Sequence, residues 1–172
     1  MATDYDYDLN PPKKVAQKSV DSCWAAAFEC ILDAIGASNK KTEKELVVEY
    51  GQTSEGGITP EQLSVIAGKF NFLFNVFWKK SDAAVFSDKF VIDRLKQTGP
   101  LLAAPKITTS GPVFFHAQVI WGVHYLSAGD IGTDRALMYT MNPDGGKYSL
   151  YPISYFTTNL PMFTCWKNSG ST

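Results

Sequence analysis

Cys23 stands where a helix begins. Asp21 and Ser22 are residue types that cap a helix N-terminus, and Trp24, Ala27, Phe28, Ile31, Leu32 and Ile35 recur behind them at helical spacing as far as Gly36. A thiol attacks as its thiolate, and at the first turn of a helix that anion is favoured by the dipole and by N–H groups without an intrahelical partner. Trp24 is followed by the small pair Ala25-Ala26, which leaves room for a substrate to come up to the sulfur. The chemistry this predicts is nucleophilic acyl transfer at Cys23.

Such a cysteine needs a base, and the chain has two histidines, His116 and His124. Both fall on one face of the segment VFFHAQVIWGVHYL, read as a single strand. Eight residues at about 3.3 Å each separate them by roughly 26 Å, so one site cannot use both. His116 is the candidate, because it opens that strand after the flexible ITTSGP loop and because small Ala117 leaves its ring room to face the helix start. An imidazole base works best when a third group holds its second nitrogen. Asn142, at the end of the strand-like RALMYTMN before Pro143, and Asp144, two residues further on, can each serve, and the residues alone leave that choice open.

Two more helices are predicted ahead of the strands. One runs over Thr42 to Tyr50, opened by Thr42 with Glu45 three residues on, the pattern of a capping box. The other has Thr59 as cap, Pro60 at its first position, and Leu63, Ile66, Ala67 and Phe70 along one side. FNFLFNVFW and KITTSG supply strand-type residues, and FVIDRLKQTG reads as a short helix ended by Gly99-Pro100. VFFHAQVIWGVHYL, RALMYTMN and KYSLYPISYF read as strands separated by the turn compositions SAGDIGTD and PDGG. The predicted class is α+β, with a helical first half packed on an antiparallel sheet from the second half. At 172 residues the chain suits one domain, taken as 13–172, behind a loosely held arm over 1–12 that ends in Pro-Pro.

Hydrophobic residues at 45% against 19% charged argue for a compact fold. Sixteen basic and seventeen acidic side chains leave a formal charge of -1, which excludes the broad positive field that holds a nucleic-acid backbone. No run approaches the roughly 20 apolar residues of a spanning helix, and the acidic opening MATDYDYDL is unlike a secretory signal, so a soluble product without membrane contact, cytoplasmic when made, is expected. No cluster has zinc-ligand spacing and no glycine loop has the phosphate-cradling pattern, so no metal and no cofactor are expected. Three cysteines cannot all pair internally, and reduced, buried Cys30 and Cys165 are expected in place of a bridge.

The spacing Gln17-x5-Cys23-Trp24-Ala25 resembles that of the papain-like cysteine peptidases, and His116-Ala117 followed by apolar residues and Gly122 resembles the histidine strand of that family. The resemblance implies a papain-like fold in which Cys23 is the nucleophile and His116 the base. Gln17 would donate its side-chain amide to the oxyanion beside the Cys23 N–H. It points to Asn142 as the orienting group, since the papain family carries Asn at this place. The order GITPEQL, LKQTGPLLAA, histidine strand, Asn-Pro and aromatic tail, over about Lys14 to Phe163, is similar to the bacteriocin-processing double-glycine peptidases and to bacterial papain-like effectors. Asn142 departs from the Asp of the double-glycine branch, and neither an inhibitory pro-segment nor a multi-disulfide framework is visible. The likeness implies a monomeric cysteine peptidase with a protein substrate. The effector likeness adds delivery into a target cell by a secretion machine such as the type VI apparatus, and a cognate immunity protein covering the cleft. Papain-like sites also serve amidases, deamidases and transglutaminase-type acyl transferases, and the scaffold can persist as a non-catalytic binding module.

Overall fold

The computed structural model describes residues 5–53, 56–107 and 114–170. In chain order β1 (Tyr5–Asp8) is followed by helices α1 (Cys23–Ala34), α2 (Glu43–Tyr50) and α3 (Pro60–Lys69). Then come β2 (Phe72–Phe77), α4 (Lys80–Ala83), α5 (Asp88–Thr98), β3 (Leu101–Ile107), β4 (Phe114–Phe115) and β5 (Gln118–Tyr125). The chain closes with β6 (Leu137–Asn142), β7 (Lys147–Pro152), α6 (Ile153–Thr158) and β8 (Met162–Lys167). The strands form an antiparallel sheet in the order β2-β8-β3-β5-β6-β7, with β1 beside β5 and β4 beside β3.

Both faces of this sheet are covered. On one, Phe28, Ile31 and Leu32 of α1, Leu46 of α2 and Ile66 of α3 pack on Leu102, Ala104, Val119 and Cys165. On the other, Val91 and Leu95 of α5 and Phe156 of α6 pack on Leu101, Ala103, Ile120 and Met138. α1 is the central element, with Ala25 to Phe28 and Cys30 to Leu32 fully buried, as a helix that is apolar nearly all round must be. The expected capping box of Thr42 with Glu45 forms, and Thr59 caps α3 as expected, in a box with Gln62. Cys23, Cys30 and Cys165 are all buried and free of disulfides.

Four local readings change. The arm is in part a strand, since Tyr5–Asp8 pair with Tyr125 to Gly122 and the Leu9 N–H donates to the Trp121 carbonyl at 3.0 Å. β3 pairs with β5 only at Gln118 to Ile120, which leaves the rest of that edge for β1 to cover. Gly122 permits the approach, because a Cβ there would lie 2.8 Å from the Asp8 Cβ and from the Tyr139 ring. Second, VFFHAQVIWGVHYL is two strands, β4 and β5, broken at His116-Ala117. Third, only the first half of KYSLYPISYF is a strand; after Pro152 the chain turns into α6. Fourth, Lys106 and Ile107 end a strand that begins at Leu101, and the remainder of KITTSG and of the ITTSGP loop, residues 108–112, lies outside the described residues.

Candidate active site

α1 presents Cys23 as its first residue, at one end of a cleft of about 490 Å³ that His116 also lines. The apolar wall comes from Trp24, Ile58, Leu63, Ala104, Phe115 and Phe163, with Asp21 among the polar lining residues. The Trp24 indole N–H donates to the Gly56 carbonyl at 2.7 Å, so the tryptophan that follows Cys23 ties down the chain at Gly56, next to Gly57 and Ile58 of the cleft lining.

The sulfur is gripped by the backbone on either side of His116. The Ala117 N–H donates to Sγ at 3.5 Å, and the thiol donates to the Phe115 carbonyl at 3.7 Å. His116 itself sits in the break between β4 and β5, its N–H donating to the Pro105 carbonyl at 3.2 Å. The break lets one short stretch serve two elements: β4 hangs on β3 while β5 continues the sheet.

The far side of the imidazole is equally defined. His116 Nε2 lies 2.7 Å from Asn142 Oδ1, which also accepts the Asp144 backbone N–H at 2.9 Å, while Asn142 Nδ2 donates to the Tyr151 hydroxyl at 3.2 Å. The Asp144 N–H decides which way the carboxamide faces, since a flipped amide would set a donor against a donor. Oδ1 can only accept, so Nε2 carries the ring proton and Nδ1 is left as the basic nitrogen. Asn142 is thus the residue bonded to the His116 ring, and Asp144 contributes its backbone while its exposed carboxylate takes no part in that contact. His124 belongs elsewhere, at the other end of β5 with Nδ1 3.4 Å from the Tyr139 hydroxyl.

Gln17 is close to this assembly but does not display a free amide. Its backbone N–H donates to the Pro143 carbonyl at 2.9 Å, which stitches it to the turn after Asn142. Gly146 in that turn, at φ 57°, lets Ala16 approach to 3.0 Å of where a Cβ would stand. The side-chain amide of Gln17 donates to the carbonyls of Ser19 and Val20 at 3.0 and 2.9 Å, and its Oε1 is buried without a partner among the described residues. The Gln17 amide expected to meet an oxyanion is therefore engaged with the adjacent loop.

The charge state of the nucleophile also differs from the reading made on helix position alone. Burial pushes the Cys23 thiol up, and the neighbouring Asp21 charge adds to that; the N–H groups of Ala117, Trp24 and Cys23 itself pull the other way without reversing it. Sγ lies 3.7 Å from the Phe115 carbonyl, the position of a thiol donor. Two contributing residues had no readable signal in the sequence, Tyr151 behind Asn142 and Glu43 beneath Ser22. An acidic residue in the first turn of a helix is ordinarily a solvated dipole partner, which is how Glu43 reads.

Fold and site together define a class, the papain-like cysteine peptidases. Residues 5–161 match the family described as papain-like cysteine protease AvrRpt2, and the chain belongs to that family. Among solved structures it is similar to the peptidase domain of Streptococcus ComA, a bifunctional ABC transporter of a quorum-sensing pathway, with a TM-score of 0.58 at 14% identity over 92% of this chain and 100% of that one. It is also similar to UfSP from C. elegans, with a TM-score of 0.62 at 12% identity over 94% of this chain but 34% of that one. A double-glycine motif protease from an AMS/PCAT transporter, solved with its leader peptide, gives 0.54 at 11% identity over 94% and 98%. At these identities the likeness is one of fold. No curated protein matches the chain. Among the described residues no helix is long and apolar enough to cross a membrane.

Proposed function

We propose that this peptidase cuts a protein substrate at a bond presented across the apolar cleft, with Cys23, His116 and Asn142 as the catalytic set. The observation that carries the assignment is the 2.7 Å contact of His116 Nε2 with an Asn142 carboxamide whose orientation is locked from behind. His116 Nδ1 takes the proton from Sγ, and the thiolate attacks the substrate carbonyl. The tetrahedral oxyanion is received by the Cys23 N–H and by the Gln17 amide, which turns from the Ser19 and Val20 carbonyls as the substrate carbonyl arrives. The imidazolium then gives its proton to the leaving amine. Water attacks the thioester, with His116 as base, and the thiol is restored.

The lining by Ile58, Leu63, Phe115 and Phe163 favours an apolar side chain beside the scissile bond, in a cleft roomier than a double-glycine substrate needs. The biological setting we favour is that of an effector toxin made by a bacterium and delivered into a target cell, with an immunity protein in the producer that occupies the cleft. The compact size and the likeness to papain-like effectors support that setting. The test is mapping of new protein N-termini by mass spectrometry after expression of the wild type and of Cys23→Ala. New termini that require Cys23 are expected; a one-dalton change or an added amine on intact chains would refute backbone cleavage.

A further inference from the structure

One carboxylate oxygen holds together the two ends of the loop that leads into the nucleophile. Glu43 is 2% exposed, and its Oε1 accepts the Lys18 N–H at 3.0 Å and the Ser22 hydroxyl at 2.7 Å. Lys18 follows Gln17, and Ser22 precedes Cys23. Ser22 occupies the cap position of α1 yet makes no side-chain cap bond; its hydroxyl faces Glu43 and accepts the Ser19 N–H at 3.2 Å. The carboxylate is itself anchored, because the Glu43 N–H donates to Glu29 Oε2 at 2.6 Å and Glu29 Oε1 pairs with Lys13 at 3.0 Å. Its second oxygen is buried without a hydrogen-bond partner among the described residues. A buried carboxylate left half-satisfied costs stability, so its placement asks for a return in function.

We propose that Glu43 is a positioning residue for the oxyanion site: it fixes the Lys18 to Ser22 turn and through it the Cys23 N–H and the Gln17 segment. The inference rests on the peptidase reading of Cys23 and His116 and extends it to a residue that touches neither substrate nor sulfur. If Glu43 acts this way, its loss slows only those reactions of Cys23 that pass through a tetrahedral oxyanion.

Two small probes separate these reactions without the natural substrate. p-Nitrophenyl acetate acylates the thiolate through a tetrahedral intermediate and releases p-nitrophenolate. Iodoacetamide alkylates the same thiolate by direct displacement of iodide and forms no oxyanion. Both rates scale with the thiolate population, so their ratio isolates oxyanion stabilisation. Glu43→Ala is expected to lower the acylation-to-alkylation ratio about 10- to 100-fold, somewhat less than full removal of an oxyanion donor. Glu43→Gln keeps a carbonyl oxygen for Lys18 and Ser22 and should recover most of the ratio. Should Glu43→Ala fail to fold, as judged by thermal unfolding, Ser22→Ala cuts the same contact from the other side and must lower the ratio. An unchanged ratio in the folded variants, or equal losses in both rates, overturns the proposal. A wild type that p-nitrophenyl acetate acylates no faster than Cys23→Ala overturns the peptidase reading itself, a separate result.

Discussion

The burial of the Cys23 thiol makes a quantitative demand on His116. Burial holds Cys23 above the ordinary thiol value of 9.0. Two pH units below 9.0 a thiol is ionised to about 1%, so at pH 7 Cys23 without a base is ionised less than that. On the proposed mechanism His116 Nδ1 holds the Sγ proton, so the wild-type thiolate is stabilised as half of an ion pair. Removing the ring by His116→Ala should then cut the thiolate population by up to about 100-fold. A thiolate of higher basicity is intrinsically more nucleophilic, with a Brønsted coefficient near 0.4–0.5, which returns about half of that loss on a logarithmic scale. The expected fall in the iodoacetamide rate at pH 7 is then up to about 10-fold. The pH dependence is the sharper test. Between pH 6 and 8 the variant rate should climb about tenfold per unit, as for a solitary thiol, while the wild-type rate stays nearly level. Stopped alkylation quantified by mass of the Cys23 peptide measures both. Equal slopes in the two proteins would show that His116 does not share the thiol proton, and the catalytic assignment would fail with it.

Asn142→Ala removes the acceptor of the His116 Nε2–H; at a net worth of about 1 kcal/mol for such a bond, kcat/KM should fall roughly 5- to 10-fold, while Asp144→Ala, which keeps the backbone N–H, should leave it unchanged. A comparable loss in Asp144→Ala would transfer the orienting role to that carboxylate. Tyr151→Phe deprives Asn142 Nδ2 of its partner, so a several-fold fall in kcat and about 1 kcal/mol less stability in denaturant unfolding are expected. Gly146→Ala places a methyl 3.0 Å from Ala16 at a left-handed φ, which should lower unfolding stability by about 1–3 kcal/mol and displace Gln17 along with the turn. A variant with wild-type melting and activity would mean that this close approach does not matter.

The elements that declare themselves locally were legible. α1 with its Gly36 stop, the Thr42 capping box, the Thr59 cap with Pro60 behind it and the helix ending at Gly99 all depend on neighbours within four positions, and each forms where the residues place it, although Ser22 at the head of α1 makes no side-chain cap bond. Cys23 and His116 were singled out by chemistry and elimination, and the sequence favoured Asn142 by resemblance while keeping Asp144 as the alternative; the contact to the His116 ring is made by Asn142. β3 and β8 were missed because both faces of each are buried, so Leu101 to Ala104 is apolar throughout and Met162 to Trp166 apolar but for the buried Thr164, where a half-buried strand would alternate. β1 was missed although Tyr and Asp alternate at period two, because a strand that short means nothing until a free edge of β5 is there to receive it.

By itself the sequence supplied the candidate reacting groups and determined the helix that carries the sulfur, since side-chain chemistry and i to i+4 periodicity are both written in short stretches of chain. The tertiary structure alone decided which nitrogen of His116 is the base, where the Gln17 amide is spent, that Glu43 underlies the nucleophile loop, and that burial outweighs the helix N-terminus in setting the charge of Cys23. Competitions between groups 21 to 126 positions apart, as in Glu43 with Ser22, His116 with Asn142 and the Gln17 backbone with Pro143, together with solvent exclusion at Cys23, set these outcomes, while the Gln17 amide itself turns to carbonyls only two and three positions on. Such competitions have no sense of direction until packing brings the partners together and removes the water between them.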